Sequence, residues 1–489
     1  MLRLSQISNI NRAALLMLAY LLGVTIHSFF PLTNIPTLIW WSIAVIFLTF
    51  SVLTLRSRLF VSCFLYLGVC LLGLWRFDVA VPSIVQTSGV KTYTANVQNV
   101  TDGLYGTQAI AKVNEEGFRV LLALKSGIPI GSTIRFSCAL KSVTQKPDEL
   151  DRRFAYRLHQ AQAQCTPKEL AIISPSEWWD VRQTFADLRV WTNRRIMSVL
   201  PGEEGALIAG MLYGERGMSQ KSNDLFRRAG LTHLIAVSGS NITIVASIVF
   251  AILLGFGLWR RQAFWMTTMI LASYVTFTGF SASVARAAVM GWLVLLARHV
   301  GRRPLTWHVL LVSAFILCLI DPWMLAFDAG FALSFLATIG LMSWSPIFNR
   351  CLKFLPEVGG LREAAATTIS ATLMTTPYMA FAFERVSLAG LITNLVAVPL
   401  VPWAMLFGAL SAIWGQFVGW QVIALPSVGV AKAIFLSASL AECVPWLSIQ
   451  MQSMNFIFLV VTYALLFWIW FKLRIKNQFS TKDHQNCQT

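Results

Sequence analysis

The sequence predicts a polytopic α-helical membrane protein of about 12 spans with an inserted extracytoplasmic small β-barrel, OB-like in type. Three observations carry that reading. Of 489 residues, 56% are hydrophobic and only 12% are charged, about half the charge a soluble domain carries. Several charge-free apolar runs reach about 17–22 residues, the length that crosses the hydrocarbon core. In lipid every backbone polar group must be satisfied internally, so these runs are helices. Finally, the Lys and Arg clusters alternate in sides along the chain as cytoplasmic loops should.

Three spans come first, near 13–32, 37–55 and 59–76, flanked by Arg3 and Arg12 and then by Arg56 and Arg58. The first reads as a retained span rather than a cleaved leader: it is long, and Pro31 follows it without a small-residue cleavage signal. Nine more lie near 231–258, 263–279, 284–299, 305–320, 329–345, 364–382, 387–412, 418–442 and 454–472. Pro426 and Lys432 leave the eleventh open to a re-entrant reading. With both termini cytoplasmic, the inner loops hold Arg260 and Arg261, Arg302 and Arg303, Arg350 and Lys353, and Lys472 with Arg474. Asp321, Asp328 and Glu384 then fall in outer turns, and residues 77–230 are extracytoplasmic. The resulting domains are 1–76 (three spans), 77–175 (OB-like), 176–202 (interfacial helix), 203–472 (channel-type membrane domain) and 473–489 (cytoplasmic tail).

Within 77–175, β-rich runs at 91–100, 108–113, 118–124 and 133–143 are punctuated by Asp102-Gly103, Glu116-Gly117 and the stretch 129–131. Short, evenly spaced strands suit a small barrel. Tyr93, Tyr105, Phe118 and Phe136 are available either as stacking platforms for a single strand or as its core. Cys138 and Cys165 are the only cysteines in this region. In an oxidising compartment they read as a disulfide worth about 3 kcal/mol; the other reading is two separate buried thiols. In 176–200, Trp178, Val181, Phe185, Leu188 and Trp191 recur at three- and four-residue steps with arginines on other faces. That pattern fits an amphipathic helix in the membrane interface, or one packed on the barrel.

The net charge of +17 has two readings, cytoplasmic loops and a polyanionic substrate. Polar groups inside spans narrow the choice, because they are costly there. His233, Ser238, Gly239, Ser240, Asn241 and Thr243 interrupt one apolar run. Ser, Gly and Asn disfavour a continuous helix, and a broken membrane helix is tolerated against protein or a wet cavity. Its free amides attract phosphate; small residues that let helices approach are the plainer account. Arg286 among small residues either snorkels to the interface or contacts phosphate. Asp321, Asp328 and Asn394 are secondary candidates beside Gly and Pro breaks. The six histidines form no HExxH or HxHxD cluster, and GxxxxGK[ST] is missing. No cofactor, no metal and no catalytic activity are expected; a Ser238/His233 hydrolase lacks a supporting acid.

The blocks ALIAGMLYGERGMS (206–219), LFRRAGLTHLIAVSGSNITIV (225–245), ARAAVMGWLVLLARHVGRR (285–303), DPWMLAFDAGFALSFLATIGL (321–341) and SLAGLITNLVAVPLV (387–401), in this order, resemble the ComEC competence-protein family. So does the PDELDRRFAYRLHQAQ segment that closes the OB-like region. The resemblance implies transport of single-stranded DNA across the cytoplasmic membrane in natural transformation. Its path would run past His233, Ser238 to Asn241, Thr243 and Arg286. The implied partners are the lipid bilayer, a cytoplasmic ATP-driven motor, an outer DNA receptor and a separate nuclease, since the family's metallo-β-lactamase-like domain does not follow the last span. The family's Ser-Gly-Leu-His stands here as Ser238-Gly239-Ser240-Asn241, which removes a titratable imidazole. A carrier for another anionic or amphipathic substrate, such as a lipid-linked or nucleotide compound, uses the same broken helices. A lipid-directed membrane enzyme and a non-transporting scaffold complete the alternatives.

Overall fold

The computed structural model describes the chain except residues 1, 30–38, 40–41, 48, 50–57, 82–88, 104–105, 125–127, 143–158, 176–179, 216, 236–238, 280–281, 303–304, 357–360, 415–421, 423, 444–447, 451–454 and 487–489. The second predicted span, 37–55, therefore lies largely outside the described residues. The chain divides into two compact units: residues 1–195, 213–217 and 237–331, and residues 196–212, 218–236 and 332–489.

The first unit opens with helices α1 (Leu2–Phe29) and α2 (Arg58–Val79). Glycine sets their approach. A Cβ on Gly23 would strike the Cys70 carbonyl, and one on Gly73 would strike the Tyr20 carbonyl, so the two backbones touch. Hydrophobic burial gives membrane helices little reason to associate, so such small-residue contacts supply the dispersion that does.

Seven strands follow: β1 (Lys91–Gly103), β2 (Gly106–Val113), β3 (Arg119–Leu124), β4 (Thr133–Cys138), β5 (Lys141–Ser142), β6 (Ala163–Cys165) and β7 (Glu169–Ser174). Buried and accessible residues alternate along β3 and β4, the period-2 signature of a strand with one face on a core. The core holds Val97, Val113, Val120, Leu122, Ile134 and Phe136. Tyr93, Phe118 and Phe136 are in it, at 7%, 6% and 1% exposure, so they fill the interior and offer no stacking platform. Tyr105 lies outside the described residues.

The strand order is β5-β6-β3-β2-β1-β4-β7, an open sheet where the sequence suggested a closed barrel. The reason is local. Ala139 and Leu140 interrupt the ladder between β4 and β5, so the short β5 ends one edge while β4 goes on to pair with β7. β3 and β6 pair in parallel. The structure bridges Cys138 to Cys165, 27 positions apart, tying the end of β4 to the end of β6.

Helix α3 (Val181–Val199) occupies the interfacial-helix segment. Val181, Leu188 and Trp191 remain 44–59% exposed, and Arg195 sits 4.5 Å over the Trp191 ring. The unit's remaining helices are α7 (Gly239–Gly255), α8 (Arg260–Phe277), α9 (Ala282–His299), α10 (Thr306–Ile320) and α11 (Trp323–Phe327), by which point the second unit has supplied α4 (Glu203–Tyr213), α5 (Gln220–Arg228) and α6 (Thr232–Ile235). The Ser219 hydroxyl caps α5 by accepting from the Ser222 N–H.

The second unit continues through α12 (Ala329–Cys351), α13 (Leu361–Phe383), β8 (Arg385–Ser387), α14 (Gly390–Trp414), α15 (Ala424–Ser439), β9 (Ser448–Gln450) and α16 (Phe456–Asn486). β8 and β9 form an antiparallel pair that the sequence did not announce. Gly340 packs against the Ser370 carbonyl, Tyr463 donates to the Met374 carbonyl at 2.8 Å, and Trp470 Nε1 donates to the Ser343 carbonyl at 3.0 Å. The segment 418–442 holds a helix, α15, with Pro426 in its first turn, where a missing N–H costs nothing.

Among the described residues, six helices are long and apolar enough to cross a membrane: Arg12–Phe29, Ser62–Val79, Ala329–Cys351, Gly390–Trp414, Ala424–Glu442 and Phe456–Arg474. The chain is a polytopic, mostly helical membrane protein. The other predicted spans coincide with helices that are shorter or more polar. Within 231–258 the described residues form α6 and α7, with the apolar stretch Val245–Gly255; residues 236–238 lie outside them. α8 begins on Arg260 and Arg261, α9 carries Arg286 and Arg298, α10 has 15 residues, and α13 begins beside Arg362 and Glu363.

Candidate functional site

The polar candidates near 233–243 lie on α6, on α7 and in residues 236–238, which are outside the described residues. His233 lies on α6, with its side chain exposed. Ser238 lies outside the described residues; Gly239 begins α7, and Ser240 and Thr243 lie on its backbone course. Asn241 is 1% exposed. Next to it Ile242 packs with Val284, Ala287 and Ala288 of α9 and Leu271 of α8. A Cβ on Gly239 would rest 3.4 Å from Ala287, an ordinary contact, so Gly239 is present for its place at a helix start rather than for room.

Arg286 lies on α9. It is 4% exposed, and its Nη1 donates to Asp328 Oδ2 at 2.8 Å. The other carboxylate oxygen accepts from the Gly330 N–H at 2.8 Å. A Cβ on Gly330 would lie 2.9 Å from Arg286 Nη2, so the guanidinium closes over a residue that has to be small. A primary and a secondary candidate thus form one buried ion pair between the family-like blocks at 285–303 and 321–341. Both charges are compensated there, which is what makes burial of an arginine tolerable.

Asp321 builds a second cluster. Its carboxylate lies 3.1 Å from His159 Nε2 and accepts from the Trp323 N–H at 3.0 Å. His159 stacks on Trp323 with ring centroids 4.9 Å apart and planes 5° from parallel, and Trp323 stacks in turn on Phe77 at 5.3 Å. Trp323 Nε1 donates to the Ala80 carbonyl at 3.1 Å. Arg76 donates to the Leu319 and Ile320 carbonyls at 3.1 and 2.8 Å, satisfying the open end of α10. Arg119 of β3 donates to the His159 carbonyl at 2.6 Å. Burial lowers the Arg119 guanidinium from its ordinary value, and the Asp321 charge works against that shift. This knot joins the sheet to α2, α10 and α11. Sequence reasoning reached Asp321 alone. His159 and Trp323 were visible in the family-like segments, yet nothing in the spacing pairs His159 with Asp321, 162 positions away.

Asn394 lies on α14, 3.5 Å from the position of a Cβ on Gly390, and its Oδ1 is buried without a hydrogen-bond partner among the described residues. Around it the family-like blocks at 225–245 and 387–401 are stitched together. Thr393 donates to the Ala229 carbonyl at 2.8 Å and Ser387 to the Arg228 carbonyl at 2.7 Å. Gly230, at φ +71°, meets Gly390 so closely that a Cβ would lie 3.0 Å from the Gly390 Cα. Among the described residues no group of three or more His, Cys, Asp or Glu could hold a metal ion.

Helices of this number and polarity, with a sheet domain inserted among them, define a multi-pass membrane protein whose motif blocks pair in space. The chain belongs to the competence protein family, whose sequence profile matches residues 211–476. It is similar to ComE operon protein 3 of Bacillus subtilis, 27% identical over 217 residues, covering 44% of this chain and 27% of that one. Recombination protein 2 of Haemophilus influenzae is 26% identical over 277 residues, covering 51% and 34%. The uncharacterized protein YcaI of Escherichia coli is 29% identical over 215 residues, covering 40% and 27%. The aligned regions span about a third or less of these relatives' own length. No solved structure matches.

Proposed function

We propose that this protein passes one strand of DNA across the cytoplasmic membrane during natural transformation and that it is not itself an enzyme. One observation carries the reading: in a competence-family chain, a membrane helix opens on the polar stretch Gly239, Ser240, Asn241, and Asn241 in its first turn is buried at 1% exposure. The start of a helix offers free amides to an anion, and phosphate in hydrocarbon needs such partners. The path runs past His233, Ser238, Gly239, Ser240, Asn241 and Thr243. Arg286 enters it as a positioning residue: paired to Asp328, it fixes α9 against the turn before α12 and leaves phosphate contact to the amides.

About twelve spans flank this path, five of them formed by the shorter or more polar helices. Both termini are cytoplasmic, and 77–230 is extracytoplasmic. The sheet domain is a variant of the OB fold. The parallel β3·β6 pairing, the long β1 shared between β2 and β4, and the Cys138–Cys165 link across the β4–β5 interruption support that reading. The exposed Val181, Leu188 and Trp191 stripe of α3 lies in the outer membrane interface. An outer receptor delivers DNA, a separate nuclease removes the other strand, and a cytoplasmic ATP-driven motor draws the product in.

Deletion in the transformable host tests the reading. Labelled DNA should still adsorb to cells, nuclease-resistant label should vanish, and Asn241→Ala at normal protein abundance should lower it at least tenfold. Undiminished resistant label in the deletion strain refutes the proposal.

A further inference from the structure

A cleft of about 230 Å³ lies in the first unit between the sheet, α3 and the end of α8. Arg182 and Arg189 reach it from α3, Gln98 and Asn99 from β1, and Phe277 and Gly279 from the end of α8. No carboxylate is among its described lining residues. The geometry points to a binding site here for the phosphate backbone of a single nucleic-acid strand, a deepening of the transport reading on which it rests.

Three features build the site. Arg182 and Arg189 are two helical turns apart, on one face of α3, about 10.5 Å along the axis. Asp187 is turned to another face, where it accepts from Gln183 at 2.7 Å. Next, the β1·β2 register slips between Val97 and Asn99, so Gln98 is an extra residue in the ladder. Such a bulge re-aims side chains, and both amides come out exposed beside the arginines. Third, Gly279 holds φ +76°, and a Cβ there would lie 2.7 Å from Arg189 Nη1. The backbone makes room for that guanidinium.

Guanidinium groups suit phosphate oxygens, side-chain amides pair with base edges, and an aromatic ring such as Phe277 accepts a stacked base. A lipid headgroup uses the first of these alone. The apolar stripe of α3 that would face lipid is the neighbouring one, through Val181, Leu188 and Trp191.

The test uses the full chain in neutral phosphatidylcholine nanodiscs and a fluorescent mixed-sequence single-stranded oligonucleotide, with anisotropy read from 50 to 200 mM salt. Removing two phosphate contacts with Arg182→Gln and Arg189→Gln should flatten the log K against log salt slope by about 1.4. The wild-type advantage should shrink about sevenfold across that range. Arg182→Gln alone, on an exposed side chain, should flatten it by about 0.7 and serves if the double variant misassembles. An unchanged slope and affinity in both variants overturns the site. So does an effect confined to association with phosphatidylglycerol vesicles while strand binding is intact, which would assign the cleft to lipid. Wild-type protein that binds no strand, in a host where deletion still abolishes uptake, overturns the cleft alone. Deletion without effect on uptake overturns the transport reading, whatever the cleft binds.

Discussion

Replacing Asp328 with Asn keeps an oxygen for the Gly330 N–H but removes the carboxylate charge that faces the Arg286 guanidinium, 4% exposed. Two unit charges about 4 Å apart at an effective permittivity of about 20 attract by about 4 kcal/mol. Breaking a buried pair from one side costs about 3–5 kcal/mol, because the remaining charge stays desolvated. Asp328→Asn should therefore lower stability by about 3 kcal/mol. Arg286→Met should cost less, since a carboxylate held by an N–H and lying nearer solvent is better placed to recover hydration. The double variant Arg286→Met with Asp328→Asn buries no charge and should come within about 1 kcal/mol of wild type. Denaturant titration of purified protein in one detergent, read as a double-mutant cycle, yields the coupling. A coupling below about 0.5 kcal/mol, or a double variant as unstable as Asp328→Asn, refutes the argument that the pair is a closed electrostatic unit.

Gly230→Ala should lose about 2 kcal/mol or more in the same titration, from its left-handed φ and the contact with Gly390; Gly429→Ala, in open space on α15, should gain about 0.5–1 kcal/mol. Substituting serine at both Cys138 and Cys165 should cost about 3 kcal/mol, and dithiothreitol should lower the wild-type protein to the same value. Glu384, the one non-glycine residue at positive φ among those described, ends α13 at φ 56°. Glu384→Gly should raise the unfolding free energy by about 1 kcal/mol, and a drop would show that its side chain makes an unrecognised contact.

Helices were legible because apolar runs need no partner to declare themselves. The predicted boundaries of α2, α10 and α14 fall within about three residues of the structure. Strands were legible through turn residues such as Glu116-Gly117, where Gly117 sits at φ 73°. What the sequence hid was pairing. Arg286 and Asp328 were each picked out, for cost of burial, without a hint that they meet. His159 passed as an unremarkable histidine because its partners lie in a different segment. The β8·β9 pair is too short for alternation to show. The open sheet edge follows from two residues, Ala139 and Leu140, whose composition is that of a strand.

Asp321 bonds to a histidine from the inserted sheet and also anchors the start of α11. The insertion is therefore not a removable module, although its two ends leave and rejoin the membrane portion like one. A chimera that exchanges residues 77–175 with a relative would have to carry over a ring able to stack on Trp323 and satisfy Asp321, or the turn beneath it would lose its support. An exchange in this chain thus has a natural unit larger than residues 77–175, and its border runs through the membrane portion's own Asp-Pro-Trp sequence.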